Sequence, residues 1–78
     1  MQAELLVRMI NQIADFYGSG SEADVAAQET LMHVKRMWAD RMRRQMVEIG
    51  AADAGLGSVA RRAVELLVAT DAPSRVAG

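Results

Sequence analysis

His33-Val34-Lys35-Arg36-Met37-Trp38-Ala39-Asp40-Arg41-Met42-Arg43-Arg44 is the stretch on which the fold turns. Upstream of its middle, Ala27, Leu31, Val34 and Trp38 recur at i, i+4, i+7 and i+11, the spacing of one apolar helical face. Downstream, Met42, Met46 and Ile49 form a second stripe. Between the two, Ala39-Asp40 permits two readings. Asp40 caps a separate helix, or one helix runs without interruption from 22 to 49. Gly50 stops the segment in either case. The first reading gives a small bundle; the second gives a long helical hairpin.

Working outward, the flanks are also helical. Residues 3–17 carry Leu6, Met9, Ile13 and Phe16 on one stripe, widened by Leu5, Ile10 and Tyr17. Gly18-Ser19-Gly20 ends that helix, with glycine suited to a left-handed cap. Ser21 is the candidate N-cap of the next helix, and Glu22 and Asp24 sit in its first turn, where the dipole favours negative charge. Residues 50–57, Gly-Ala-Ala-Asp-Ala-Gly-Leu-Gly, read as a flexible connector. A last helix spans about 58–69, with Val59, Ala63, Leu66 and Leu67 as its core side. No segment alternates as a half-buried strand does. The expectation is an all-α bundle of three to four short helices, a helical hairpin plus a C-terminal helix. Residues 1–70 form one domain and 71–78 a frayed tail.

Composition narrows the function. A chain of 78 residues is one small domain, and 51% hydrophobic residues suffice for a modest core. Zero cysteines exclude disulfides, thiolate metal sites and iron–sulfur clusters within it. One histidine does not make a zinc site, which needs three or four protein ligands. The net charge of −1 gives no global attraction to nucleic acid or membrane. No run approaches the roughly 18 apolar residues of a membrane helix. Arg8, Asn11 and Gln12 interrupt the one stretch resembling a signal peptide. The expected location is the cytoplasm, and the expected role is that of a binding or accessory module rather than an enzyme.

The quoted stretch is also the densest chemical signal. Five of the nine basic residues lie between positions 35 and 44, beside one acid. Arginine forks recognise carboxylates and phosphates, so the run suits an acidic protein surface or a nucleic-acid backbone. The plainer reading is a solvated helical face. Trp38 is either a core residue or an interface anchor, since Trp and Arg dominate hot spots. Met32, Met37, Met42 and Met46 recur at intervals of about five, which spreads them around the helix. Methionine is adaptable and suits surfaces that repack against a partner; its plainer role is core filling. His33 has Glu29 at i−4 as a candidate partner, and no nucleophile accompanies it. Gly55-Leu56-Gly57-Ser58-Val59-Ala60 fits a dinucleotide fingerprint only in letters, because no strand precedes it.

Three segments together resemble a known family. Leu6-Val7-Arg8-Met9-Ile10-Asn11-Gln12-Ile13-Ala14-Asp15-Phe16-Tyr17, then His33 to Arg43, then Gly55 to Leu67 are similar, in the same order, to the small delta subunit of soluble, NAD-dependent molybdenum- or tungsten-containing formate dehydrogenases. The middle segment is the specific one. Where the family has Asp-Pro after the tryptophan, this chain has Ala39-Asp40, and Gly57-Ser58 stands for Ser-Pro at the last helix. The resemblance implies a non-catalytic subunit that binds no cofactor. The alpha subunit would carry the molybdopterin-type cofactor and iron–sulfur clusters, and the beta and gamma subunits FMN and further clusters. Formate would be oxidised and NAD reduced by the complex. The delta chain would dock on alpha and support its assembly, stability or cofactor retention. The expected partner-binding residues are His33, Arg36, Met37, Trp38, Arg41, Met42, Arg43 and Arg44. Self-association of the isolated chain through its Met/Trp face fits the same residues. The alternative is a small nucleic-acid-binding or regulatory protein using residues 35–44.

Overall fold

A computed structural model describes residues 2–71. They form four α-helices and no strand: α1 (Ala3–Gly18), α2 (Ala23–Met37), α3 (Asp40–Ile49) and α4 (Ser58–Asp71). The all-α expectation holds. Asp71 lies in α4 rather than in a tail, and the rest of the expected tail falls outside the described residues.

The helix breaks at Trp38-Ala39. Trp38 (φ −87°, ψ 144°) and Ala39 (φ −67°, ψ 155°) are both extended, so two residues separate α2 from α3. The Trp38 N–H still closes the last turn of α2 on the Val34 carbonyl at 2.9 Å. Its indole is only 7% exposed, and this burial holds the chain in the corner without a proline. Asp40 is the first residue of α3 rather than its cap. Ala39 holds the cap position without a side-chain bond, and the Asp40 carboxylate pairs with Arg43. Gly50 ends α3 as expected, at φ 78°, where a side chain would be strained.

Two other expected caps differ. α2 starts after Glu22, not Ser21, and its first turn closes through the backbone bond from Ala26 N–H to Glu22 O at 2.8 Å. α1 ends through a right-handed Ser19 whose hydroxyl donates to Phe16 O at 3.2 Å, with no left-handed glycine.

The core also sits on a shifted face of α1. Leu6, Val7, Ile10 and Ala14 are buried, whereas Phe16 is 74% exposed and Leu5 lies outside the core. At 3.6 residues per turn this is a rotation of about a quarter turn from the Leu6-Met9-Ile13-Phe16 stripe. Small residues explain it. α2 buries Ala26, Ala27 and Thr30, α4 buries Ala60 and Ala63, and α1 contributes Ala14. Short side chains let helix axes approach closely, so these residues mark the contact lines. The Thr30 hydroxyl is satisfied by donating to Ala26 O at 2.8 Å. In α4 the buried centre moves likewise to Ala60, Ala63, Val64 and Leu67, leaving Val59 and Leu66 half-buried. Met46 of α3 and Leu56 of the loop complete the core with Val34 and Trp38.

The 50–57 connector is not a flexible link. Asn11 of α1 donates from Nδ2 to Gly55 O at 2.8 Å and accepts from the Gly57 N–H at 2.9 Å. Arg61 of α4 reaches back to three carbonyls: Nε to Ala51 O at 3.1 Å, and a terminal nitrogen to Leu56 O at 3.1 Å and Asp53 O at 3.5 Å. The Asp53 carboxylate accepts from the Gly55 N–H at 2.7 Å. A Cβ on Gly55 would sit 3.2 Å from Val7 Cγ1, so the loop lies directly on α1. Glycines at 55 and 57 therefore serve close packing and amide donation, not phosphate binding.

Candidate docking site

The quarter-turn rotation of α1 leaves Phe16 uncovered and Met9 and Ile13 only partly covered. Met9, Ile13 and Phe16 of α1 face the end of α2, where Met37 is 65% exposed. Together with Gln12, Tyr17, His33 and Trp38 they line an open groove of about 540 Å³. No charged side chain lines it. The buried indole of Trp38 forms part of its wall, so this residue belongs at once to core and groove.

A second hollow adjoins the first and shares Tyr17, His33 and Met37 with it. Its other lining residues are Glu29, Met32 and Arg36, so charge enters only at this end. The Tyr17 hydroxyl and His33 Nδ1 lie 3.3 Å apart and hydrogen-bond, with the hydroxyl donating when the ring carries its proton on Nε2. His33 thus partners Tyr17 across the α1–α2 interface. The Phe16 and Tyr17 rings meet edge to face at 5.1 Å, and Tyr17 and His33 at 6.1 Å, giving a continuous aromatic edge.

The expected site residues do not share one surface. His33, Arg36, Met37 and Trp38 border the two joined hollows. Arg41, Met42 and Arg44 line a separate hollow along α3 with Ala39, Asp40, Gln45 and Glu48. Arg43 is turned to Asp40. The extended pair Trp38-Ala39 therefore divides the basic run, and acidic neighbours offset its α3 half. The methionines divide too: Met32 is 57% exposed, Met42 is half-buried, and Met46 is 0% exposed. Of the groove residues on the apolar stripe of α1, Met9 and Ile13 also pack against the core, whereas Phe16 does not. Ala14, a small residue opposite Phe16, was the available sign of the close-packed side.

Among the described residues no three His, Cys, Asp or Glu side chains gather as a metal site, and no helix is long and apolar enough to cross a membrane. Residues 5–64 match the family described as NADH-dependent formate dehydrogenase delta subunit FdsD. No curated protein and no solved structure matches the chain.

Proposed function

The chain belongs to the family of NADH-dependent formate dehydrogenase delta subunits, and on that premise we propose that it is a non-catalytic cytoplasmic subunit that docks on the large alpha subunit through the α1–α2 groove. The observation that supports this reading most directly is the exposure of Phe16 and Met37 on either side of one uncharged, apolar-walled groove. Single exposed apolar residues are ordinary on a monomer; a run of them along a concave surface marks an interaction site. Aromatic residues and methionine are also the types enriched at interface centres. His33, shared by both hollows, and Arg36, in the adjoining one, would pair with carboxylates or carbonyls of the partner. Arg41, Met42 and Arg44 on α3 offer a second, more polar contact.

In this reading formate oxidation, electron transfer and NAD reduction belong to the alpha, beta and gamma subunits, which carry the molybdopterin-type cofactor, iron–sulfur clusters and FMN. The delta chain, with no cysteine in its sequence, takes no part in electron transfer. Its contribution is to cover a surface of alpha and so favour the folded, cofactor-retaining state by mass action.

The test is affinity purification of the tagged chain from its own cell extract. The alpha subunit is expected to follow it. The Phe16→Ser and Met37→Ser variants, shown to be folded, are expected to recover much less. Unchanged recovery by both variants would remove the groove from the interface. Absence of alpha with the parent chain, with the tag accessible and the complex expressed, would remove the proposal.

A further inference from the structure

We infer that the docking face is a methionine-oxidation switch, in which hydrogen peroxide converts Met37 and Met32 to sulfoxides and so blocks association. This rests on the docking reading above. Its basis is the way the fold sorts its methionines. Met46 is wholly enclosed by the core, Met9 and Met42 are half-covered, and Met32 and Met37 are more than half exposed. No cysteine in the chain competes for the oxidant. The two exposed methionines lie on one hollow, and Met37 also lines the α2 side of the apolar groove.

The chemistry is a two-electron oxygen transfer. The Sδ lone pair attacks one peroxide oxygen, the O–O bond breaks as the S–O bond forms, and the departing hydroxide takes the remaining proton and leaves as water. Sulfur is oxidised and peroxide reduced. The product is a polar, chiral side chain with a strong acceptor where an adaptable apolar one stood. At Met37 this acceptor faces a groove walled by Ile13, Phe16 and Trp38, and the nearby Tyr17 and His33 already bond each other. A partner's apolar surface closing there would strip water from the sulfoxide without replacing its hydrogen bonds. Because Met46 is shielded, modification alters the docking face and leaves the core intact. Docking in turn shields Met37, so the modified species arises from the undocked chain.

The experiment treats the purified chain with hydrogen peroxide, maps sulfoxides by peptide mass spectrometry, and measures capture by immobilised formate dehydrogenase expressed without this chain. Met37 and Met32 are expected to oxidise first and Met46 last, with helical content unchanged. Capture is expected to weaken about tenfold or more and to return after methionine sulfoxide reductase treatment. The Met32→Leu/Met37→Leu double variant, which keeps apolar volume, is expected to be captured equally before and after peroxide. Oxidation of Met42 or Met46 ahead of Met37 would overturn the assignment of the sites. Undiminished capture of the oxidised chain, alongside failed capture of Phe16→Ser, would overturn the switch and leave the docking reading standing. Equal capture of the parent, oxidised and Phe16→Ser chains, or no capture of the parent, would overturn both.

Discussion

The 50–57 loop and the α1–α2 groove reverse each other's composition. The loop has the residues of a linker, three glycines and three alanines among eight, and yet it is tied at six points by Asn11, Arg61 and Asp53 and buries Leu56. The groove has the residues of a core, and yet Phe16 and Met37 face outward. Polarity by itself did not decide which region closes. The loop closes because a few long polar side chains reach its backbone groups, which otherwise lack partners. The groove stays open because α2 and α4 occupy the neighbouring face of α1, where small side chains let them approach. α1 carries both outcomes: Asn11 turns inward to the loop and, five residues later, Phe16 turns outward.

The widest separation between closed and open regions is expected from a matched pair of substitutions. Met46→Ala should lower stability by about 2–5 kcal/mol, whereas Met37→Ala should change it by about 0.5 kcal/mol or less. Urea unfolding followed by the fluorescence of Trp38 reads both. Similar losses for the two would mean that the groove is part of the core.

Next in size is the loop clamp. Arg61→Ala removes three carbonyl contacts and is expected to cost about 2–3 kcal/mol. Arg61→Lys should recover only part of this, because an ammonium cannot span carbonyls as the guanidinium fork does. Amide hydrogen exchange at residues 51–56 should rise in step, and unchanged protection there would show that the loop holds without Arg61.

Asn11→Ala should cost about 1–2 kcal/mol. Asn11→Asp keeps the acceptor for the Gly57 N–H but sets a carboxylate against the Gly55 carbonyl, so it should be no better than alanine. A rescue by aspartate would mean that the bond to Gly57 alone fixes the loop. The smallest stability effect belongs to Phe16→Ser, near zero, with the loss appearing instead in recovery of the alpha subunit.

Much of the fold was legible in the chain itself. Helical periodicity and the absence of strand patterns established the all-α class, and glycines placed the ends of α1 and α3 to within a residue. Local order decides these features, because a helix closes its hydrogen bonds within its own turns. The resemblance of three segments to the delta-subunit family agrees with the family that residues 5–64 match. Individual site residues were harder. His33, Met37 and Trp38 lie on the groove and Arg36 on the adjoining hollow, whereas Arg41, Met42 and Arg44 lie along another element, and Phe16, on the apolar stripe of α1, is exposed.

Sequence by itself thus determined that the chain is helical, without cysteine, and related to a delta subunit. Only the tertiary structure decided that the helix breaks at Trp38-Ala39, where burial of the indole outweighs continuation of a helix that nothing in Ala39 forbids. It also decided which face of α1 is inside. An apolar stripe wide enough to satisfy two orientations leaves the choice to its neighbours, and the alanines of α2 and α4 made it by admitting close approach on one side. The residues left over on the other side form the surface through which this chain is proposed to meet its partner.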